Sequence, residues 1–370
     1  MRIPLPVHDA LCRINLGLPL SEQLSREAVH AVFDIKKDVV RTALLAAILS
    51  GLMAKKPSED EIVGILKGAL ERDAVFRNPK LRIPLPHGAP VIGYSSSGKK
   101  GFKTINISTP AAIVASCCGV YIAKGCSKAT SSVSGSFDFL SMLGYNHDIS
   151  FEKKKRQMQE LGISFFNMEA ETPRFAKIYE KRFFLPHALS FALAGLSFPV
   201  HIDTMVFGFS HPGVGLSAKV FRRFGYKSVF TVSSTSDDIS FLDEIGVCGH
   251  VNIATINGGR LRVSRYRAEE LFNFSAKYLP QDIGQMKTPR HNVQAALGAM
   301  LGKGQPAQRA VIAANTALLL VASGKASSLR SAYKTANSVI CSGAVLGKLR
   351  GLVEFSGGNT SLLNKCLNKI

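Results

Sequence analysis

Gly93-Tyr94-Ser95-Ser96-Ser97-Gly98-Lys99-Lys100-Gly101-Phe102-Lys103-Thr104-Ile105-Asn106-Ile107-Ser108-Thr109 joins a loop of small residues to a short apolar segment and then to a helix start. Such loops expose consecutive backbone N–H groups, and a helix N-terminus adds positive potential, so together they bind phosphate. Lys99, Lys100 and Lys103 supply charge, and Ser95, Ser96, Ser97 and Thr104 supply hydroxyl donors. Composition alone also describes a flexible surface loop, the commoner origin of Ser/Gly/Lys runs.

A second stretch lifts the first above that reading. Lys124-Gly125-Cys126-Ser127-Lys128-Ala129-Thr130-Ser131-Ser132-Val133-Ser134-Gly135-Ser136-Phe137-Asp138 also follows an apolar strand and leads into a helix. Two successive strand ends carrying Lys and hydroxyls belong at the carboxyl edge of one sheet, where open α/β folds bind ligands. Working outward, strands are expected at 104–107, 120–123, 204–209, 228–232 and 251–256, with helices at 109–118, 136–143, 215–224 and 309–322. Strand-helix alternation implies a mainly parallel sheet covered by helices.

Residues before the Pro-rich linker at 76–90 read as helices. Ser25 precedes Arg26-Glu27-Ala28 as a cap, 39–54 is apolar, and Ser58 with Glu61 forms a capping box. The apolar helices of 24–54 offer a dimer surface or an internal core. A helical insert at 172–194 carries Lys177, Lys181 and Arg182 at near-helical spacing. The expected class is therefore α/β with a smaller all-helical N-terminal domain: residues 1–76 joined by 172–192, then 77–370. Arg-Ile-Pro-Leu-Pro occurs at both 2–6 and 82–86, too little for an internal repeat.

Of 370 residues, 46% are hydrophobic and 19% charged, which describes a packed globular protein. No apolar run reaches the roughly 20 residues needed to span a bilayer, and no secretory pattern opens the sequence, so a cytoplasmic protein without membrane contact is expected. The seven cysteines form no CxxC pair and accompany no His cluster, against disulfides and zinc alike. Forty-six Lys and Arg against 26 Asp and Glu leave a net charge of +20. That excess suits polyanions, phosphorylated metabolites or nucleic acid, and equally a merely basic surface.

Asn106-Ile107-Ser108-Thr109, Ser134-Gly135-Ser136-Phe137-Asp138 and Leu242-Asp243-Glu244-Ile245 resemble, in order and spacing, the NIST, SGSAD and LDEI signatures of anthranilate phosphoribosyltransferase. Leu24-Ser25-Arg26-Glu27, Ala314-Asn315 and Ser323-Gly324-Lys325-Ala326 extend the resemblance over nearly the whole chain. The resemblance implies the type III phosphoribosyltransferase fold, a homodimer, and a Mg2+-dependent transfer from phosphoribosyl pyrophosphate or another phosphorylated ribose. By position it makes Ser108, Asp243 and Glu244 the metal-linked residues. Lys103, Lys124 and Lys128 become the catalytic cations. Gly93, Ser95, Ser96, Ser97, Gly98, Thr104, Asn106, Thr109, Ser127, Ser136, His187 and Ala188 become the substrate contacts.

Departures from the family set the remaining expectations. Its GTGGD loop is here Gly93-Tyr94-Ser95-Ser96-Ser97, and its KHGNR is Lys124-Gly125-Cys126-Ser127-Lys128. The Arg that pairs with the carboxylate of anthranilate falls near Ala188, beside His187. A buried carboxylate needs a charged partner, so the acceptor is expected to be something other than anthranilate. Ser95 to Thr104 is similar in length to the phosphate loop of the related nucleotide phosphorylases, which leaves a phosphorylase as the alternative. A non-catalytic basic homologue that binds nucleic acid is another, with only weak, nonspecific binding expected. The acidic pair favours the transferase, although Asp243-Glu244 beside Asp237 and Asp238 also reads as an exposed acidic turn.

Overall fold

The computed structural model describes residues 3–73, 75–76, 80–129, 132–274 and 276–370. Thr130 and Ser131 of the second loop, Pro79 of the linker and Arg2 of the repeated pentapeptide lie outside the described residues.

Four helices open the chain: α1 (Leu5–Asn15), α2 (Glu22–Phe33), α3 (Asp38–Ala54) and α4 (Glu59–Leu70). The cap of α2 is Ser21, whose side chain accepts the Leu24 N–H, and not Ser25 as expected. Ser25 lies a turn inside, buried where α4 crosses: a Cβ on Gly64 would come within 2.6 Å of Ser25 Cβ. A small residue is needed there for packing, which the capping rule cannot see. At α4 the Ser58–Glu61 capping box forms as its spacing predicts. Glu61 is fully buried, accepts the backbone N–H groups of Leu20 and Ser58 at 2.7 Å each, and pairs with Lys55 at 2.7 Å.

Most apolar positions within 24–54 are used inside the chain. Val29, Val32, Phe33, Leu45, Ile48, Leu49 and Leu52 are buried, while Val39, with Leu5, Leu16 and Leu18 outside that range, remains exposed. The segment after residue 172 docks here too: Phe175 lies 5.9 Å from Phe33 ring to ring, and Arg182 pairs with Asp38 at 2.6 Å. Its helix ends at Tyr179, so Lys181, in the left-handed region at φ 61°, does not continue a helical face with Lys177.

The sheet holds β1 (Val91–Ser96), β2 (Tyr121–Cys126), β3 (Ile163–Asn167), β4 (Thr204–Gly208), β5 (Ser228–Thr235), β6 (Phe241–Leu242), β7 (His250–Asn257) and β8 (Arg260–Arg267). Its order is β3-β2-β1-β4-β5-β7-β8, with β6 beside β5. β3, β2, β1, β4 and β5 run parallel, and β7 and β8 are antiparallel additions. The direction of growth reverses at β1, because β2 is added on one side and β4 on the other. A crevice opens outside the strand ends at such a point. The loop after β1 leads to α5 (Ser108–Cys117), and that after β2 to α6 (Ser136–Met142).

Two expectations change here. Gly93 to Ser96 are not loop but the last residues of β1: Gly93 and Tyr94 pair with both β2 and β4, Ser95 and Ser96 with β4, and all but the half-buried Ser96 are buried. Residues 104–107 are not a strand; Thr104 makes only an isolated bridge to Gly284. Ile105 and Ile107 alternate because they plug the core, not because they pair in the sheet.

Replacing Glu61 by Ala would strand the Lys55 ammonium and the Leu20 N–H in the helical core. Unfolding free energy in urea should fall by about 3 kcal/mol. Glu27→Ala on the exposed face should cost less than about 0.5 kcal/mol. A Glu61→Ala loss no larger than the Glu27 one would remove Glu61 as the anchor of this packing.

Candidate active site

Gly208, the last residue of β4, determines where the acidic pair sits. A Cβ there would lie 1.7 Å from the carbonyl oxygen of Asp243, so the 242–245 segment crosses directly over the end of β4. The Asn315 side chain clamps that segment from below, accepting the Ile245 N–H at 3.0 Å and donating to Ile245 O at 2.9 Å. Ser234 Oγ donates to Glu244 O at 2.6 Å. Asp243 and Glu244 are therefore buried, 1% and 2% exposed, and not an acidic turn at the surface.

The loop after β1 folds onto this pair. Gly98 and Lys99 both take left-handed conformations, φ 63° and 59°. That reversal directs Gly98 N–H to Asp243 Oδ2 at 2.8 Å. It also brings Lys100 Nζ to 2.5 Å from Glu244 Oε2, 3.5 Å from Asp243 Oδ1 and 2.9 Å from Thr104 Oγ1. Ser97 and Ser210 tie the loop to the end of β4: Ser97 N donates to Gly208 O at 2.8 Å, and Ser210 Oγ to Gly98 O at 2.6 Å.

Two carboxyl groups share one ammonium here, and the electrostatics follow. Burial pushes Glu244 up to about 8, Lys100 opposing and the Asp243 charge reinforcing the rise. Burial would raise Asp243 as well, but Lys100 and the hydrogen bonds from Glu244, Ser96 and the Gly98 N–H hold it below its ordinary value. Lys100 itself is raised: both carboxyls outweigh the desolvation that acts against its charge. Asp243 Oδ1 accepts no hydrogen bond.

The second loop is bound to the first by amides. Asn106 Nδ2 donates to Ser134 O and Gly135 O at 3.3 Å each, and its Oδ1 accepts from Ser134 Oγ at 2.8 Å and Asn292 Nδ2 at 3.2 Å. Gly135 is required because a Cβ would strike Ser127 O at 2.5 Å and Ala129 N at 2.7 Å. Asp138 closes the turn by accepting from Ala129 N and Gly135 N at 2.8 Å each. Ser136 Oγ accepts from Ser127 N at 3.0 Å.

These loops enclose a cleft of about 210 Å3. Among the residues expected at the site, Ser95 to Gly98, Lys103, Thr104, Asn106, Ser108, Thr109, Lys124, Ser127, Lys128, Ser136, Asp243 and Glu244 line it. Gly93, His187 and Ala188 do not. Gly93 is packed mid-strand, where a Cβ would meet Ile202 at 2.7 Å. Ala188 is fully buried, and His187 stands behind the wall. The hydroxyls of Ser95 and Thr109 are buried with no hydrogen-bond partner, although both residues face the cleft. Buried hydroxyls are rarely left unpaired.

Lys124, 2% exposed, lies 5.1 Å over the Tyr94 ring and donates to Gly125 O at 2.6 Å; burial lowers its pKa. Burial lowers Lys103 too, with repulsion from Lys100 adding and Asp243 opposing. Lys128 lies 5.3 Å over the Phe137 ring.

The far wall was not legible in the motifs. Tyr179 stacks between Phe175 at 4.7 Å and Phe183 at 5.3 Å, and all three line the cleft. Lys99 Nζ donates to Tyr179 Oη at 2.5 Å, and that hydroxyl meets His187 Nε2 at 2.7 Å. Burial holds Lys99 down near 8 and keeps His187 neutral. Asn292 was also missed as a site-building residue, Lys100 was read only as a loop charge, and Asn315 only as part of the Ala314-Asn315 match. Only the Lys100–Asp243 charge complementarity offered a signal, and it gave no register.

Residues 89–346 match the family described as glycosyl transferase family, a/b domain. The anthranilate phosphoribosyltransferase of Methylorubrum extorquens is 31% identical over 336 residues, covering 90% of this chain and 95% of that protein. Its counterpart from Pseudoalteromonas translucida is 28% identical over 360 residues, 95% and 96% of the two chains. The crystal structure of the Thermus thermophilus enzyme superposes with a TM-score of 0.71 at 23% identity, over 94% of this chain and 99% of that one. The Saccharomyces cerevisiae enzyme in complex with phosphoribosyl pyrophosphate and Mg gives 0.71 at 20% identity, over 95% and 98%. Both structures share the fold. Among the described residues no helix is long and apolar enough to cross a membrane.

The raised pKa of Glu244 sets a pH dependence. A carboxyl that ionises at about 8 when folded, against 4.5 ordinarily, binds its proton more tightly in the folded chain. Its contribution is fully present below the ordinary value and is lost as pH rises to the folded one. Between about pH 5 and pH 8 the wild type should therefore lose stability relative to Glu244→Gln, on the order of a few kcal/mol. Parallel urea-unfolding profiles for the two proteins would show that Glu244 is not held protonated.

Proposed function

This chain belongs to the glycosyl transferase family, and on that premise we propose that it transfers a 5-phosphoribosyl group from phosphoribosyl pyrophosphate to an acceptor other than anthranilate. The observation that carries the proposal is the meeting of two hydroxyl- and lysine-bearing loops over a buried acidic pair at one sheet edge. Bond breaking sends the electron pair of the C1–O bond to pyrophosphate and leaves an oxocarbenium-like centre, which an acceptor atom attacks. What the protein must supply is fixed positive charge where the leaving group gains negative charge. Lys103, Lys124 and Lys128 face the cleft for that task, and the unpaired hydroxyls of Ser95 and Thr109 take phosphoryl oxygens.

The acidic pair fits magnesium. Two carboxyls face a single ammonium, and Asp243 Oδ1 has no hydrogen bond. No group of three His, Cys, Asp or Glu stands ready for a metal among the described residues. Mg2+ takes one or two carboxylates and completes its shell with phosphate oxygens and water, so Asp243 and Glu244, with Ser108 on the cleft wall, would hold it together with the donor. When bound it supplies Lewis-acid stabilisation of the departing pyrophosphate.

At the acceptor end no arginine is among the described residues of the cleft, and Ala188 is buried behind it. Glu169 and Glu180 line that end together with Lys99 and Lys181, beside the rings of Tyr179 and Phe183, and Lys99 is already engaged by Tyr179 Oη. An acceptor that donates hydrogen bonds and lies flat on an aromatic wall suits it better than an aromatic acid.

Calorimetric titration with phosphoribosyl pyrophosphate should show binding that strengthens with Mg2+. Asp243→Ala with Glu244→Ala should abolish the Mg2+-dependent part, while Lys103→Ala should weaken binding about tenfold with or without metal, since its charge acts on oxygen directly. Anthranilate should not be consumed. Absence of donor binding in any condition would overturn the proposal, and turnover of anthranilate would overturn the acceptor assignment.

A further inference from the structure

Lys100 is a cleft lysine that phosphate binding does not employ, and it is held in an ion pair with the acidic pair. Its ammonium stands where the two carboxyls converge, 2.5 Å from Glu244 Oε2 and 3.5 Å from Asp243 Oδ1, and both acids are buried. The arrangement is not a long side chain lying on an acid by chance. Gly98 N–H is fixed to Asp243 Oδ2, and Gly101 N donates to Phe241 O at 3.0 Å, so the backbone on either side of Lys100 is fastened to the acidic segment. Gly101 lies so close that a Cβ would come within 2.8 Å of Ser240 Cα. Thr104 Oγ1 fills a further donor position of the ammonium at 2.9 Å.

We propose that Lys100 is a built-in counter-ion that holds the place of a divalent cation in the donor-free protein, so that lysine and metal exclude each other at Asp243 and Glu244. Two positive ions cannot share one pair of buried oxygens a few ångströms apart, because their repulsion grows as the local dielectric falls. Leaving the acids without any cation would be costly in turn, since an uncompensated buried charge is strongly destabilising. The lysine solves the second problem and thereby creates the first. Metal then enters only with a donor whose phosphates add negative charge, and the displaced ammonium is released into the cleft that holds the leaving group. The inference rests on the phosphoribosyl proposal for the identity of the ion alone.

Mn2+ in place of Mg2+ makes this measurable without any donor or turnover, by electron paramagnetic resonance of the free ion. Wild type should bind no Mn2+ at micromolar concentration. Lys100→Met should bind one ion per chain about tenfold tighter or better, Asp243→Asn in that background should remove the gain, and Lys100→Arg, which keeps the charge, should behave as wild type. Should the Met variant fail to fold, Lys100→Gln, which still hydrogen-bonds Glu244, carries the same comparison. A wild-type Mn2+ site that Asp243→Asn destroys would overturn the inference, as would a folded Lys100→Met or Lys100→Gln protein that gains no site. A protein that gains the site but never binds phosphoribosyl pyrophosphate keeps the counter-ion and loses the transferase. One that binds the donor with Mg2+ but gains no site loses only the counter-ion.

Discussion

Everything at the working end of this molecule depends on carrying two carboxyl groups and one ammonium out of water at a single point above β4. Desolvating three ionisable groups is expensive, and a well-packed apolar core would serve stability as well or better. The fold nonetheless commits several devices to it. Gly208 lacks a side chain so that Asp243 can cross, Asn315 clamps Ile245 two residues on with paired hydrogen bonds, and Gly98 turns the loop so that its N–H meets a carboxylate. Each device comes from a different part of the chain, and each loses its purpose if the triad is removed. Concentrated investment of this kind, with no stability to show for it, is what a functional site looks like.

Around the triad the cleft separates two kinds of lysine. Lys124 and Lys103 are destabilised as cations by burial, whereas Lys100 is stabilised by the acids. A buried ammonium resting only on the Tyr94 ring and one carbonyl gains more from an arriving phosphate than one already paired. The cleft is thus preorganised: its positive charge and its unpaired hydroxyls are in place before any ligand, so little reorganisation accompanies binding.

Much of this was legible in the sequence because it follows local rules. Apolar segments alternate with helices, Ser58 and Glu61 stand at capping distance, and both Lys/Ser loops follow strands toward the same edge. What misled was long-range. Gly93-Tyr94-Ser95-Ser96 has the composition of a loop, yet becomes a strand because β4 pairs with its whole length and β2 with Gly93 and Tyr94. Ile105 and Ile107 alternate like a strand, but their partners are core side chains and not a neighbouring chain. Arg260–Arg267, where no strand was expected, is the sheet's last strand, its charges suited to an unpaired edge. The burial of Asp243 and Glu244 could not be inferred either, since it depends on a glycine 35 positions earlier (243 minus 208) and on a helix 70 residues later.

The neighbouring residues Lys99 and Lys100 show how one step along a loop can separate two roles. With Gly98 and Lys99 both left-handed, the two side chains leave the backbone in opposite senses. Lys100 goes inward to the acids, and Lys99 crosses to the aromatic wall, where Tyr179 and then His187 receive it. One is held charged; the other, pushed down near 8, sits close to losing its proton at neutral pH. The acidic pair and the aromatic wall are consequently joined through a single peptide bond.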